Sequence, residues 1–144
     1  MKILAAVDFS AVTEQVLGTL TQMAAALPTQ VWLIYVAPPD PAFVGYGTGP
    51  DVVRDQVAVE LHASHQKLQQ LAERLRSKGV ETTALQLQGP TVATVIAEAE
   101  KMAAALIVLG SHGHGAVYNM LVGSVAEGIV RESKVPVLLV PPPR

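Results

Sequence analysis

Three short stretches of this chain, Ile3–Val7, Val31–Val36 and Leu106–Leu109, are apolar or aromatic at every position. A strand apolar on both faces must be covered on both, which points to a parallel sheet between layers of helices. The intervening segments carry helical periodicity. Val12, Val16, Leu20, Met23 and Leu27 recur at steps of three and four, and Pro28 ends the run. Val57, Leu61, Leu68, Leu71 and Leu75 form a second stripe, with Gly79 as its C-terminal cap. Val95, Ile96, Ala99 and Met102 form a third; Val125, Ile129 and Val130 form a fourth that starts near Ser124. In Val80–Gln88 the apolar residues are interrupted by Glu81, Gln86 and Gln88, as expected of an edge strand open to solvent on one side. The order βαβαβαβαβ, without internal repeat, predicts one α/β domain over residues 1–144. Its core is a five-stranded parallel doubly wound sheet with helices on both faces.

Composition removes several classes of function. Half of the 144 residues are hydrophobic and 15% are charged, ample for one buried core and unlike a disordered chain. No apolar run approaches the roughly 20 residues that span a bilayer. The first run is stopped by Asp8, too early for a signal-peptide core, so the chain is expected to stay in the cytosol. The absence of cysteine agrees with that compartment and removes disulfides and thiolate metal sites. Ten scattered Lys and Arg, a net charge of −2 and few aromatic residues argue against a nucleic-acid partner.

Two segments carry the functional signal. Pro38–Pro50, with four prolines and three glycines, reads as a loop after the second strand. Ligands of open α/β sheets sit beyond the carboxyl ends of strands, so this loop is placed either to cover a pocket or merely to connect two elements. The second segment is Gly110-Ser111-His112-Gly113, followed after nine residues by Gly123-Ser124. The first glycine pair follows a buried strand and Ser124 opens a helical pattern. Glycines let backbone N–H groups approach a polyphosphate, and a helix N-terminus adds orphan donors and a positive dipole end. The same residues also serve as ordinary turns, with Ser124 as a helix cap. The pattern is not Walker A, because Val125 follows Ser124 and no lysine lies in the loop. It is not GxGxxG either, because Tyr118 falls where the last glycine belongs.

The spacing Gly-x2-Gly-x9-Gly-Ser resembles the nucleotide-binding signature of the universal stress protein family. The resemblance extends to Val-Asp-Phe-Ser at Val7–Ser10, Gly-Ser-Val-Ala-Glu at Gly123–Glu127 and Val-Pro-Val-Leu-Leu-Val at Val135–Val140. It implies a Rossmann-like, adenine nucleotide α-hydrolase-like fold and a stress-response role. It also implies ATP as the bound cofactor, with Mg²⁺. By the same resemblance, Asp8 lies near the phosphates and the metal, and the backbone of Val36 contacts adenine. Leu109 and Gly110 lie by the ribose, and Gly113, Gly123, Ser124 and Val125 hold the phosphates. Ala6, where some ATP-binding members carry proline, joins Val7 and His114 in completing the candidate set. The bland reading of Asp8 is that it, or Ser10, caps the first helix.

The remaining polar residues read more plainly. His112 and His114 are expected as solvated loop histidines that can also meet phosphate charge. His62 and His65 share a helix face without a third ligand and read as surface residues. No base is recognisably paired to a nucleophile, which leaves at most slow ATP hydrolysis through Asp8 and the loop histidines. In Val135–Val140 an apolar strand contains Pro136, which donates no ladder hydrogen bond, so this strand belongs at an edge. A bare apolar edge invites pairing, and a homodimer through it is expected, as the resemblance also implies. The alternative is that Pro141-Pro142-Pro143 shields it. Three functions are open to such a chain: a nucleotide-dependent regulatory or sensor module, a slow ATP hydrolase, or a nucleotide-free dimerisation module.

Overall fold

The structure is a computed structural model. It describes residues 1–39, 50–114 and 122–143, with side chains from residue 55 onward in the second of these spans. The elements run β1 (Lys2–Ala6), α1 (Thr13–Ala26), β2 (Gln30–Ala37), α2 (Pro50–Ser77), β3 (Glu81–Gln88), α3 (Thr91–Lys101), β4 (Leu106–Gly110), α4 (Ser124–Glu132) and β5 (Val137–Val140). All strands pair in parallel in the order β3-β2-β1-β4-β5. The alternation of apolar runs and helical stripes thus folds as the five-stranded doubly wound sheet.

Side chains leave a strand alternately to its two faces, and both faces are covered. On one side Ile3, Ala5, Val31, Leu33 and Val108 pack with Val16 and Leu20 of α1 and Leu68 and Leu75 of α2. On the other, Leu4, Ile34, Ile107 and Leu109 pack with Val95 and Ala99 of α3 and Ala126 and Ile129 of α4. β1 lies at the centre, joined to β2 through Ile3↔Val31 and to β4 through Ile3↔Leu106. The first crossovers therefore build outward on one side of β1, and the later ones on the other. The sheet's switch point falls between β1 and β4. There the chain leaves both strands at their carboxyl ends in opposite senses, opening a crevice.

Some boundaries and faces differ from the sequence expectation. Pro50 opens α2 rather than ending a loop, in keeping with proline's fit to the first helical turn. Residues 40–49 of that loop, read either as a cover over the pocket or as a plain connection, lie outside the described residues. In α4 the buried positions are Ala126 and Ile129, whereas Val125 and Val130 are exposed, so the apolar stripe is narrower than the sequence suggested. β5 begins at Val137, with Pro136 just before it. Only the proline carbonyl joins the sheet, accepting from Ile107 N at 2.9 Å. β3 is at the other edge, but Gln86 does not face open water. Its amide donates to the Leu61 carbonyl at 3.0 Å and accepts from the Ser64 hydroxyl at 3.1 Å, both on α2. Among the described residues no helix is long and apolar enough to cross a membrane.

Two helices stop by the same device. After α2, Gly79 N donates to Arg76 O and Val80 N to Leu75 O, with Gly79 at φ 85°. After α3, Ala103 N donates to Glu100 O and Ala104 N to Ala99 O, but the left-handed position is held by a non-glycine residue, Ala103, at φ 54°. This bonding pattern satisfies the terminal carbonyls and suits glycine at the left-handed residue. The Ala103 methyl is exposed and gains nothing from packing. Ala103→Gly should therefore stabilise the protein by about 0.5–1 kcal/mol, raising its melting temperature by about 2 °C. A lower melting temperature in that variant contradicts this account of the helix end.

Candidate functional site

A cavity of about 610 Å³ opens at the carboxyl edge of the sheet, over the switch point. Its volume is within the usual range for small-molecule and cofactor sites. Segments distant in sequence build it. The end of β1 contributes Ala6, Val7 and Asp8, and the end of β2 contributes Tyr35 and Val36. The end of β4 and the turn beyond it contribute Leu109 through His114, and the start of α4 contributes Gly123, Ser124 and Val125. Ala6, Val7, Asp8, Val36, Leu109, Gly110, Gly113, His114, Gly123, Ser124 and Val125, the candidate nucleotide set, thus line a single cavity.

The helix ends around it are notable for what they lack. The N-caps of α1, α3 and α4 are Val12, Pro90 and Gly123, and none makes a side-chain capping bond. Val12, Pro90 and Gly123 all line the cavity. Ser124 is the first helical residue of α4 and does not cap it, and neither Asp8 nor Ser10 caps α1 through its side chain. Thr13 N at the start of α1 is met by the Ser10 carbonyl at 3.0 Å, but three positive dipole ends without side-chain caps still collect at one place, a setting that favours an anion.

Asp8 is bound to the turns on either side of it. Its Oδ1 accepts from Ser10 N at 3.0 Å, and its Oδ2 accepts from His114 N at 3.3 Å. Gly113 lets the carboxylate lie against the turn, because a Cβ there would force Asp8 Oδ2 to move. At Gly110 a Cβ would collide with Val12 Cγ1, so that glycine lets α1 close onto β4. The glycine turn is tied down further by Gly123 N to Ser111 O at 2.7 Å and Ser111 N to Val140 O at 2.8 Å. Phe9, next to Asp8, sits at φ 62°, a costly conformation for a side chain of that size. Its ring is held 4.7 Å from the Tyr35 ring, with Lys67 Nζ 5.7 Å away on the ring face. These contacts fix the turn that presents Asp8. Burial, then the charges of Asp8 and Glu60, push the Tyr35 phenol above its ordinary range, so it faces the cavity as a neutral hydroxyl.

Two residues depart from the sequence reading. His112 is buried, not solvated. Its Nδ1 lies 2.9 Å from the buried Ser111 hydroxyl, within hydrogen-bond distance, a contact that the sequence did not suggest. His114 is exposed as expected, as are His62 and His65. Thr13, which pattern reading passed over as polar, also lines the cavity. It is 6% exposed, and its hydroxyl oxygen is buried without a hydrogen-bond partner among the described residues.

The donor set fits a divalent cation only in company with a ligand. Among the described residues no group of three or more His, Cys, Asp and Glu is placed to hold a metal. Asp8 is a single carboxylate on the cavity wall, and Mg²⁺ commonly takes one carboxylate, waters and the oxygens of a bound phosphate.

Fold and site together define a doubly wound α/β protein with an anion-ready crevice at its switch point. A model of the universal stress protein family matches residues 1–141, and the chain belongs to that family. It is 29% identical over 145 residues to the universal stress protein MJ0531 of Methanocaldococcus jannaschii, covering 99% of this chain and 83% of that one. Among solved structures, protein MJ0577 superposes with a TM-score of 0.84 at 21% identity, covering 99% of this chain and 96% of that one. The universal stress protein from Archaeoglobus fulgidus, solved in complex with dAMP, superposes with a TM-score of 0.66. It is 21% identical, with 97% of each chain covered.

The orphaned hydroxyl of Thr13 gives a direct test of the cavity wall. An unpartnered buried hydroxyl costs about 1–3 kcal/mol, and Thr13→Val removes it at nearly constant shape. The variant should melt about 2–4 °C higher than the parent, corresponding to about 1 kcal/mol. A lower melting temperature means that the hydroxyl already has a bonded partner such as an ordered water.

Proposed function

We propose that this protein binds an adenine nucleotide, ATP with Mg²⁺, in the 610 Å³ cavity. It acts as a nucleotide-dependent regulatory or sensor module of the cytoplasmic stress response. The observation that carries this reading is the convergence of three uncapped helix N-termini and a glycine turn on one cavity. Such an array of main-chain donors suits a polyphosphate better than a neutral metabolite. The complex of the Archaeoglobus fulgidus relative with dAMP supports an adenine nucleotide.

In this reading the phosphates lie against Gly113, Gly123, Ser124 and Val125, where the turn and the first turn of α4 offer N–H groups. The ribose lies by Leu109 and Gly110, and the base by Val36 at the end of β2, beside Ala6. Bound Mg²⁺ neutralises phosphate charge, and Asp8 is the carboxylate available to it. Regulation then requires only that two states of the protein differ in nucleotide affinity.

The exposed edge gives the second part of the proposal, a homodimer formed by pairing β5 with its copy. β5 lies at the sheet's end, and Leu138 and Val130 remain exposed on that side of the fold. An apolar edge strand is an open template for another chain.

Native mass spectrometry of the purified protein tests both parts. The expected species is a dimer carrying one adenine nucleotide per protomer, and Gly123→Val should give an empty dimer. A Cβ at Gly123 already stands 3.3 Å from the Ser111 carbonyl, so a branched side chain crowds the turn. Absence of nucleotide from the parent protein after incubation with MgATP contradicts the cavity assignment; a monomer contradicts the β5 pairing.

A further inference from the structure

Asp8 occupies a contradictory place for a site meant to receive an anion. Its carboxylate accepts from His114 N and stands where any Cβ on Gly113 would be, so it lies directly against the glycine turn. It thereby fills, with its own negative charge, an anion position on that turn. The described residues lining the cavity include no lysine or arginine to offset it. The helix ends supply partial positive charge, but each amounts to only about half a unit.

We propose that Asp8 makes the cavity selective for a polyphosphate complexed to a divalent cation, by barring the free anion. The inference rests on the nucleotide reading above and concerns the same site. A metal-free triphosphate must displace the carboxylate from His114 N and then sit beside it, like charge against like, in a partly desolvated crevice. A cation shared between the carboxylate and the phosphates reverses the sign of that interaction. It also draws Asp8 off the turn, releasing the His114 amide to the ligand. The carboxylate therefore does two things: it satisfies the turn before a ligand arrives, and it discriminates among charge states of one ligand.

The consequence is unusual in sign. Removing a residue that faces the ligand should tighten binding of one form of that ligand. The experiment is calorimetric titration of the parent protein, Asp8→Asn and Asp8→Ala at fixed ionic strength. The titrants are ATP with excess Mg²⁺, ATP in EDTA, and adenosine. Adenosine carries no phosphate, and the ratio of the ATP Kd in EDTA to the adenosine Kd cancels any general damage to the cavity. That ratio should fall about tenfold or more in both variants. The Mg²⁺ dependence of ATP binding, strong in the parent, should largely disappear. A ratio that is unchanged or higher in the variants overturns the role given to Asp8 while leaving nucleotide binding intact. A parent protein that binds neither ATP nor adenosine overturns the nucleotide reading itself.

Discussion

The parallel pairing of β1 with β2 on one side and β4 on the other sets both the layering of this molecule and the position of its crevice. Ile3, Leu4 and Ala5 are fully buried, which forces helices onto both faces of the sheet. Parallel strands need crossovers, and each crossover returns a helix that starts near the carboxyl edge of the sheet. The N-termini of α1, α3 and α4 are brought to the same crevice for that reason, before any particular residue of the site is considered. The glycines at 110 and 113 then decide how closely the chain can approach that crevice.

The site carries local costs. Three helices start without a side-chain cap, each forgoing a stabilisation of typically about 1 kcal/mol. Phe9 holds a left-handed backbone, and the Thr13 hydroxyl is buried without a partner among the described residues. All of these features lie at one edge of the sheet, whereas the opposite ends of α2 and α3 close with their terminal carbonyls bonded. Local rules broken together in one place are the pattern expected where function, rather than folding, selects the residues.

The fold was legible because buried parallel strands leave unmistakable apolar runs and the helices between them keep their periodicity. What failed did so for identifiable reasons. α4 is only nine residues long and lies between a cavity and a sheet edge, so Val125 and Val130 could not be assigned to a face by spacing alone. β5 begins at Val137, two residues later than the apolar run suggested, and Pro136 joins β4 through its carbonyl alone, a boundary that periodicity cannot resolve. The candidate site was legible mainly through resemblance, since nothing in the spacing of Asp8, Val36 and Gly113 says that three strand ends meet. His112 was misjudged because a histidine in a glycine-rich turn is normally solvated, and its burial depends on tertiary closure of that turn. Thr13 gave no signal, because a polar residue opening a helix is ordinary until its hydroxyl is found without a partner.

The central claim is that main-chain amides at the carboxyl ends of β1 and β4, together with the start of α4, receive an anionic ligand. Amide chemical-shift mapping by NMR on adding MgATP tests it most directly. The account predicts the largest shifts at Gly110, Gly113, Gly123 and Ser124, with little change at His62 and His65 on the outer face of α2. Saturating MgATP that leaves those four amides unmoved, or that perturbs the outer face of α2 instead, contradicts it.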